Sequence, residues 1–370
     1  MDATSPVRRA CRLLAVLMLA LPLAACTMFS APRYRGPKSD HFDGERFVNQ
    51  GGVRPHGFGA FLRWTLGRTP RPWRAWTDAP PGPPPPERVG PGELRVTFVN
   101  HATVLVQLDG VNVLTDPVWS ERVSPVAFAG PKRVRPPGIR FEDLPPIDAV
   151  VISHNHYDHM DLPTLRRLGR SFAPRFVAGL GNARFLQANG IANAGDLDWW
   201  QSVQLRNGVR ITAVPAQHFS NRGMTDSDAT LWAGFVIEGS AGYVYFAGDT
   251  GYGPHFEQIR ARFGPPRLAL LPIGAFAPEW FMSPVHISPA EAVQAHRVLG
   301  AGRSVAIHFG TFRLSDEGQD EPVERLHEAI AEAGIDPETF WVLDFGEGRD
   351  VPPLEATATP DPILPRPPLR

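Results

Sequence analysis

From Glu93 onward the chain falls into short apolar runs separated by turn residues. Leu94 to Val99 and Thr103 to Leu108 have the spacing and β-branched content of strands. Asp109-Gly110 is a tight hairpin signal, and Val111 to Leu114 continues the same sheet. Asp148 to Ser153 is another β-branched run, stopping at His154. Ile211 to Val214, Gly242 to Phe246, Leu268 to Ile273 and Ser304 to Ile307 predict four more short buried strands. Helical signals interleave with them. Leu162 to Leu168 predicts a short helix. Ser288-Pro289-Ala290-Glu291 reads as a capping box with proline at the first helical position, and Gly300 as its stop. A further helix is expected from about Pro322 to Ala333, ended by Gly334. Strands alternating with helices predict an α/β fold in which helices cover sheets, not an all-β sandwich. No internal repeat is visible.

The two ends have a different composition. Arg8, Arg9 and Arg12 precede an apolar run, Leu13 to Ala25, that is short for a bilayer span. It ends Leu23-Ala24-Ala25-Cys26, similar to a bacterial lipobox, so residues 1–26 are expected to be a lipoprotein signal with Cys26 the lipidated residue. Thr27 after it favours the outer membrane, facing the periplasm. Residues 27–92 read as a proline-rich tether and N-terminal wrap, 93–350 as the catalytic domain, and 351–370 as a proline-rich tail. Pro80 to Pro86 should be extended. Between Arg63 and Trp76, arginines interleave with tryptophans. This pattern suits either a membrane-facing surface or, as the favoured reading, tryptophans packed on the domain with solvated arginines.

Composition narrows the chemistry. A formal net charge of −1 offers no basic field for nucleic acid, which is not an expected partner. Cys11 and Cys26 are the only cysteines, so nothing beyond residue 26 offers a thiolate nucleophile or ligand. What the chain does offer is His154-Asn155-His156-Tyr157-Asp158-His159, directly after an apolar strand. His218, Asp249 and His308 each follow a later one. Strand ends share a rim, so groups far apart in sequence can meet there. His154 and His156 can face one ion while Asp158 and His159 turn toward a second. Imidazoles and carboxylates without thiolates suit zinc, and two sites of three protein ligands with one shared carboxylate keep positions open for water.

The motif His-x-His-x-Asp-His, followed in order by His218, Asp249 and His308, resembles the signature of the metallo-β-lactamase superfamily. The segments TFVNHATVLVQLDGVNVLTDP, SHNHYDHMD, LDWW, FAGDTGY, PIGAFAPEWFM, HISPAEAV and AIHFGTF are similar to the N-acyl-phosphatidylethanolamine-hydrolysing phospholipase D family. The resemblance covers about residues 94–348. It implies a four-layer αβ/βα sandwich with two zinc ions at one edge. It places His154, His156 and His218 on one ion, Asp158, His159 and His308 on the other, and Asp249 between them. It also implies substrate contacts at Tyr157 and His286. The expected activity is a phosphodiesterase of phospholipase D type, acting on a lipid or other phosphodiester in the cell envelope. Alternatives are an acyl or lactone hydrolase on the same metals, and a non-catalytic metal-binding lipoprotein.

Asp158 and His286 are the candidate catalytic groups, with His286 expected to protonate a leaving group or contact phosphate unless it merely packs before the capped helix. Tyr157 is a candidate substrate hydrogen-bond partner or a packing residue. His101 and Asp116, each ending a strand, can brace ligands or serve as buried structural groups. Trp199-Trp200 and Glu279 to Met282 supply apolar surface, read as core in preference to a lipid groove.

Overall fold

The computed structural model describes residues 30–354. Two seven-stranded sheets lie face to face. The first contains β1 (Leu94–Asn100), β2 (Thr103–Leu108), β3 (Val111–Thr115), β4 (Ala149–Ile152), β5 (Arg175–Gly179) and β6 (Ala194–Leu197). The second contains β7 (Ser202–Gln204), β8 (Arg210–Val214), β9 (Gly234–Gly239), β10 (Gly242–Phe246), β11 (Leu268–Pro272), β12 (Arg303–Ile307) and β13 (Phe340–Trp341). The last strand, β14 (Gly348–Asp350), returns to the first sheet as its edge beside β1.

The strand patterns explain the layering. Val104, Val106, Val111, Val113, Ala149 and Val151 face the central core between the sheets. Their alternate neighbours Leu105, Leu114, Val150 and Ile152 pack instead with Leu165, Leu168, Phe185 and Leu186 from the helices Leu162–Phe172 and Asn182–Ala188. Strands buried on both faces take apolar side chains at most positions, which is why they read as nearly continuous runs. Ile259, Val293, Leu299, Leu326 and Ile330 carry the helices His255–Phe263, Pro289–Leu299 and Glu321–Ala333 onto the second sheet. The result is the expected αβ/βα sandwich. The capping box forms: Ser288 accepts from the Glu291 backbone, and the Glu291 side chain accepts from the Ser288 backbone. Gly300 and Gly334 end their helices at φ 60° and 63°.

Strand direction then creates a common rim. β3 and β4 are parallel, and β1 is antiparallel to β2, which is antiparallel to β3. β1, β3 and β4 therefore end together, delivering His101, Asp116 and His154. In the second sheet β8 and β10 flank the antiparallel β9, and β10, β11 and β12 are parallel, so His218, Asp249 and His308 emerge on one side. At these ends His101, Asp116 and His308 hold φ of 49°, 33° and 63°, a left-handed conformation costly for residues with a Cβ.

The expected signal segment and Cys26 lie outside the described residues, as does the tail from residue 355. Residues 30–92 are tied to the domain at separate points. Phe42 and Phe47 are fully buried in the central core. Gly82 within the proline run donates to the Gly138 carbonyl at 2.7 Å. Trp64 Nε1 donates to Asp316, and Trp73 Nε1 to the Glu317 carbonyl. Trp64 and Trp73 thus pack as favoured while Trp76 stays 48% exposed, and three arginines are not simply solvated: Arg68, Arg71 and Arg74 pair with Asp316, Glu321 and Asp320.

Candidate metal centre

The site begins where β4 ends. His156 to Met160 form a tight turn, with His156 O accepting from the backbone of His159 and Met160, before the helix at Leu162. His154 Nε2 and His156 Nδ1 come within 2.7 Å, and His218 Nε2 lies 3.4 Å from the same His156 atom. On the other side, His159 Nε2 lies 3.3 Å and His308 Nε2 3.5 Å from Asp158 Oδ2. Asp249 Oδ2 sits between the groups, 3.2 Å from both His159 and His308, 3.8 Å from His218 and 4.0 Å from His154. All seven expected ligand residues are therefore brought together.

These atoms suit metal ions better than one another. His159 Nε2, His308 Nε2 and Asp249 Oδ1 are buried without a hydrogen-bond partner. Orphaned polar atoms converging in a dry site cost free energy unless something else satisfies them. Candidate ligand groups include His154, His156 and His218, and a set around Asp158, His159 and His308 that also includes His101. Burial holds His154 and His218 well below the usual histidine range and His156 at about 4, leaving their lone pairs available. Burial opposes charge on His308 and His159 too, but there the Asp249 carboxylate prevails, lifting His308 to about 9 and His159 well above normal. Asp158 and Asp249 resist the upward push of burial because charged His159 holds both well below the usual carboxylate range.

A second ring of residues fixes the first. Asp116, fully buried, accepts from His159 Nδ1 at 2.6 Å and from the Ser153 backbone at 2.7 Å. Its Oδ2 also takes the Ser153 hydroxyl, whose oxygen lies 2.9 Å from His154 Nδ1, so one carboxylate orients both histidines. His101 Nε2 lies 3.0 Å from Asp158 Oδ2. Both residues brace ligands, which for His101 is more than a generic buried hydrogen bond. The Val285 carbonyl fixes His218 Nδ1 at 2.8 Å.

His286 joins His218 and Asp249 in a further candidate group, beyond the seven expected ligands, with Nδ1 3.9 Å from Asp249 Oδ2 and its backbone N–H on the Met282 carbonyl. Burial holds its imidazole at about 4. Tyr157 lies beneath the Arg222 guanidinium, and its hydroxyl donates to the Arg222 carbonyl at 2.9 Å, leaving only its oxygen lone pairs for a substrate. Trp199 is core, its indole donating to Trp232 O.

Three supports carried no motif. Asn49 clamps His218 on both sides, accepting from its N–H at 3.0 Å and donating to its carbonyl at 2.8 Å. Arg222, almost fully buried, donates to the carbonyls of Asn155 and Met160 and so pins the histidine turn. Thr250 Oγ1 accepts from the Gln217 backbone, beside His218. Neither Asn49 nor Arg222 carries a signal: Arg222 sits in the polar stretch Ser220-Asn221-Arg222-Gly223, where an arginine reads as surface.

Comparison with known proteins agrees with this geometry. Residues 111–309 match the family model described as a beta-lactamase superfamily domain. The chain is 40% identical over 267 residues to N-acyl-phosphatidylethanolamine-hydrolyzing phospholipase D 1 of Caenorhabditis elegans, covering 69% of this chain and 75% of that protein. It is 36% identical over 257 residues to N-acyl-phosphatidylethanolamine-hydrolyzing phospholipase D, mitochondrial, of Saccharomyces cerevisiae, covering 68% of this chain and 54% of the yeast protein. Among solved structures, an isothiocyanate hydrolase from Delia radicum gut bacteria has the same fold, with a TM-score of 0.55 at 22% identity, covering 69% of this chain and 98% of that one. A strand-end cluster of imidazoles and carboxylates, on this sandwich and with these relatives, makes the chain a metal-dependent hydrolase of the metallo-β-lactamase superfamily, close to the N-acyl-phosphatidylethanolamine-hydrolysing phospholipase D family.

Proposed function

We propose that the chain is a dinuclear zinc phosphodiesterase of phospholipase D type, acting on a lipid or lipid-like substrate. The observation that carries the reading is Asp249 Oδ2 lying within 4.0 Å of His154, His159, His218 and His308, a carboxylate placed between two ligand sets. His154, His156 and His218 would hold one ion, and Asp158, His159 and His308 the other, with Asp249 shared. An imidazole and carboxylate donor set without thiolate suits zinc. Two such ions would supply a water acidic enough to ionise near neutral pH and neutralise charge on a phosphoryl group. The names of the worm and yeast relatives support the lipid phosphodiester reading. An envelope setting through lipidated Cys26 rests on the Leu23-Ala24-Ala25-Cys26 run alone.

The protein's own groups divide the remaining work. Asp116 and His101 keep the ligands oriented before substrate arrives, so no reorganisation is needed at the reacting centre. His286 meets the substrate as a neutral imidazole at pH 7, able to donate an N–H. A phosphate anion beside it favours its protonated form, the state needed to give a proton to the departing alcohol.

The deciding experiment is turnover of a soluble phosphodiester and a lactone by purified protein, alongside elemental analysis. Diester hydrolysis with about two zinc ions per chain is the expected result. Hydrolysis of the lactone with the diester untouched would overturn the phosphodiesterase reading, and a single bound ion would overturn the dinuclear one.

His286→Ala should keep its metal, because the two ligand sets are complete without it. Its rate on a diester with a poor alkoxide leaving group should fall ~10²–10⁴-fold, the scale of a lost general acid. With a nitrophenolate leaving group the loss should shrink, because that group departs without a proton. Metal loss in this variant would instead place His286 among the ligands.

A further inference from the structure

The helix Phe58–Gly67 buries none of its residues. Phe58, Phe61, Leu62 and Leu66 recur at the i, i+3, i+4 and i+8 positions of one stripe, and that stripe faces outward. Phe58 is 78% exposed and Leu66 80%, with Phe61 and Leu62 near half. A surface helix ordinarily turns such a stripe inward, and four large apolar groups left out on one face mark a docking surface. The opposite side is anchored: Trp64 stacks on Phe281 at 4.9 Å between ring centroids and donates its indole N–H to Asp316. The helix is therefore held in place by its inner side, with the apolar stripe presented outward.

What covers the stripe is indicated by charge and length. Between Glu45 and Asp78 the chain carries six arginines, at 46, 54, 63, 68, 71 and 74, and no acidic residue. Arg68, Arg71 and Arg74 turn inward to carboxylates, as described. Arg54 and Arg63 are exposed, Arg54 within Coulombic reach of Asp228 and Arg63 over the Trp280 ring at 4.8 Å. Cations and a half-exposed tryptophan beside an apolar stripe match a surface that is anionic outside and hydrocarbon beneath. No helix among the described residues is long and apolar enough to cross a membrane, and this one has only ten residues, so it can lie in an interface but not span it.

We propose that the outward face of the helix Phe58–Gly67 docks on an anionic lipid bilayer and brings the metal cluster to it. The helix rests on the short helix Glu279–Met282, and the Met282 carbonyl holds the backbone N–H of His286 beside Asp249. The docking helix is thus tied to the segment that carries His286. The inference rests on the lipid reading of the substrate, but it is tested without turnover.

Hydrogen exchange of the full chain is followed alone and with vesicles, either pure phosphatidylcholine or mixed with phosphatidylglycerol. Amides of residues 58–67 should slow with the anionic vesicles, less with the zwitterionic ones, and the slowing should weaken as salt rises. Leu62→Glu with Leu66→Glu should abolish that local protection and weaken vesicle affinity roughly 100-fold, the scale of withdrawing two leucines from apolar surroundings. Both positions are exposed, so melting temperature and metal content should stay as in the wild type. Unchanged exchange with anionic vesicles overturns the inference. So does protection that grows with protein concentration in the absence of lipid, which assigns the face to a second copy. A soluble diester reads the phosphodiester chemistry with no surface present, so either proposal can fail without the other.

Discussion

Asp249→Asn should strip the protein of metal and activity together, with turnover down at least ~10²-fold even though the residue keeps its size and shape. The reason is position. Its Oδ2 is the acid oxygen that approaches imidazoles of both ligand sets, at 3.2 Å from His159 and His308 and 3.8 to 4.0 Å from His218 and His154. The amide keeps one weak acceptor and loses the charge that would balance two divalent ions. A second readout separates this from simple misfolding. In the metal-free wild type, burial disfavours charge on His308, yet Asp249 prevails and raises it to about 9, with His159 raised as well. At pH 7 both are protonated and must release protons when metal enters, so affinity should climb as pH rises toward about 9. Calorimetry in buffers of different ionisation heat should show proton release by the wild type and less by Asp249→Asn. Full metal content in the variant would refute the shared-carboxylate assignment.

Asp116 should be nearly as sensitive, although it faces no metal. Asp116→Ala leaves the Ser153 N–H, the Ser153 hydroxyl and His159 Nδ1 buried without their acceptor, at ~3–5 kcal/mol of stability. Asp116→Asn is the more informative change. The Ser153 backbone N–H holds the side-chain oxygen on the Oδ1 side. The new amide nitrogen must then face His159 Nδ1 where a carboxylate oxygen stood. Two donors cannot share that contact, so His159 gives up its Nδ1 proton and keeps the one on Nε2, which covers the lone pair aimed at the cluster. Metal affinity should fall ~10–100-fold, with activity restored by excess zinc, while the fold remains. An Asn variant that binds metal like the wild type would reduce Asp116 to a structural role.

What could be read from the chain follows from the physics of its strands. β2, β3, β4, β10, β11 and β12 are buried along nearly all their length and mostly apolar because both faces are covered, and such runs stand out. The site was legible for the same reason, since each ligand is the first polar residue group after such a run. β6 escaped because Ala-Gly-Asp-Leu at a half-buried sheet edge has no β-branched residue, and β9 because Gly234 and Gly239 bound a run of three apolar residues. The helices Asn182–Ala188 and His255–Phe263 lack side-chain caps and stood out less than the box at Ser288. The supporting groups were least visible. Asp116 and His101 drew notice as polar strand ends, but Asn49 and Arg222 act through backbone contacts that leave no trace in local pattern.

Asn49 also changes where the working unit begins. The matched family domain starts at residue 111, and the sheet at Leu94. Yet one asparagine far upstream holds both backbone groups of a ligand histidine and accepts the Trp232 indole as well. A boundary drawn by kinship is thus not a boundary drawn by mechanics. The N-terminal segment is therefore not a detachable module: exchanging it between relatives would exchange part of the vice that grips the centre.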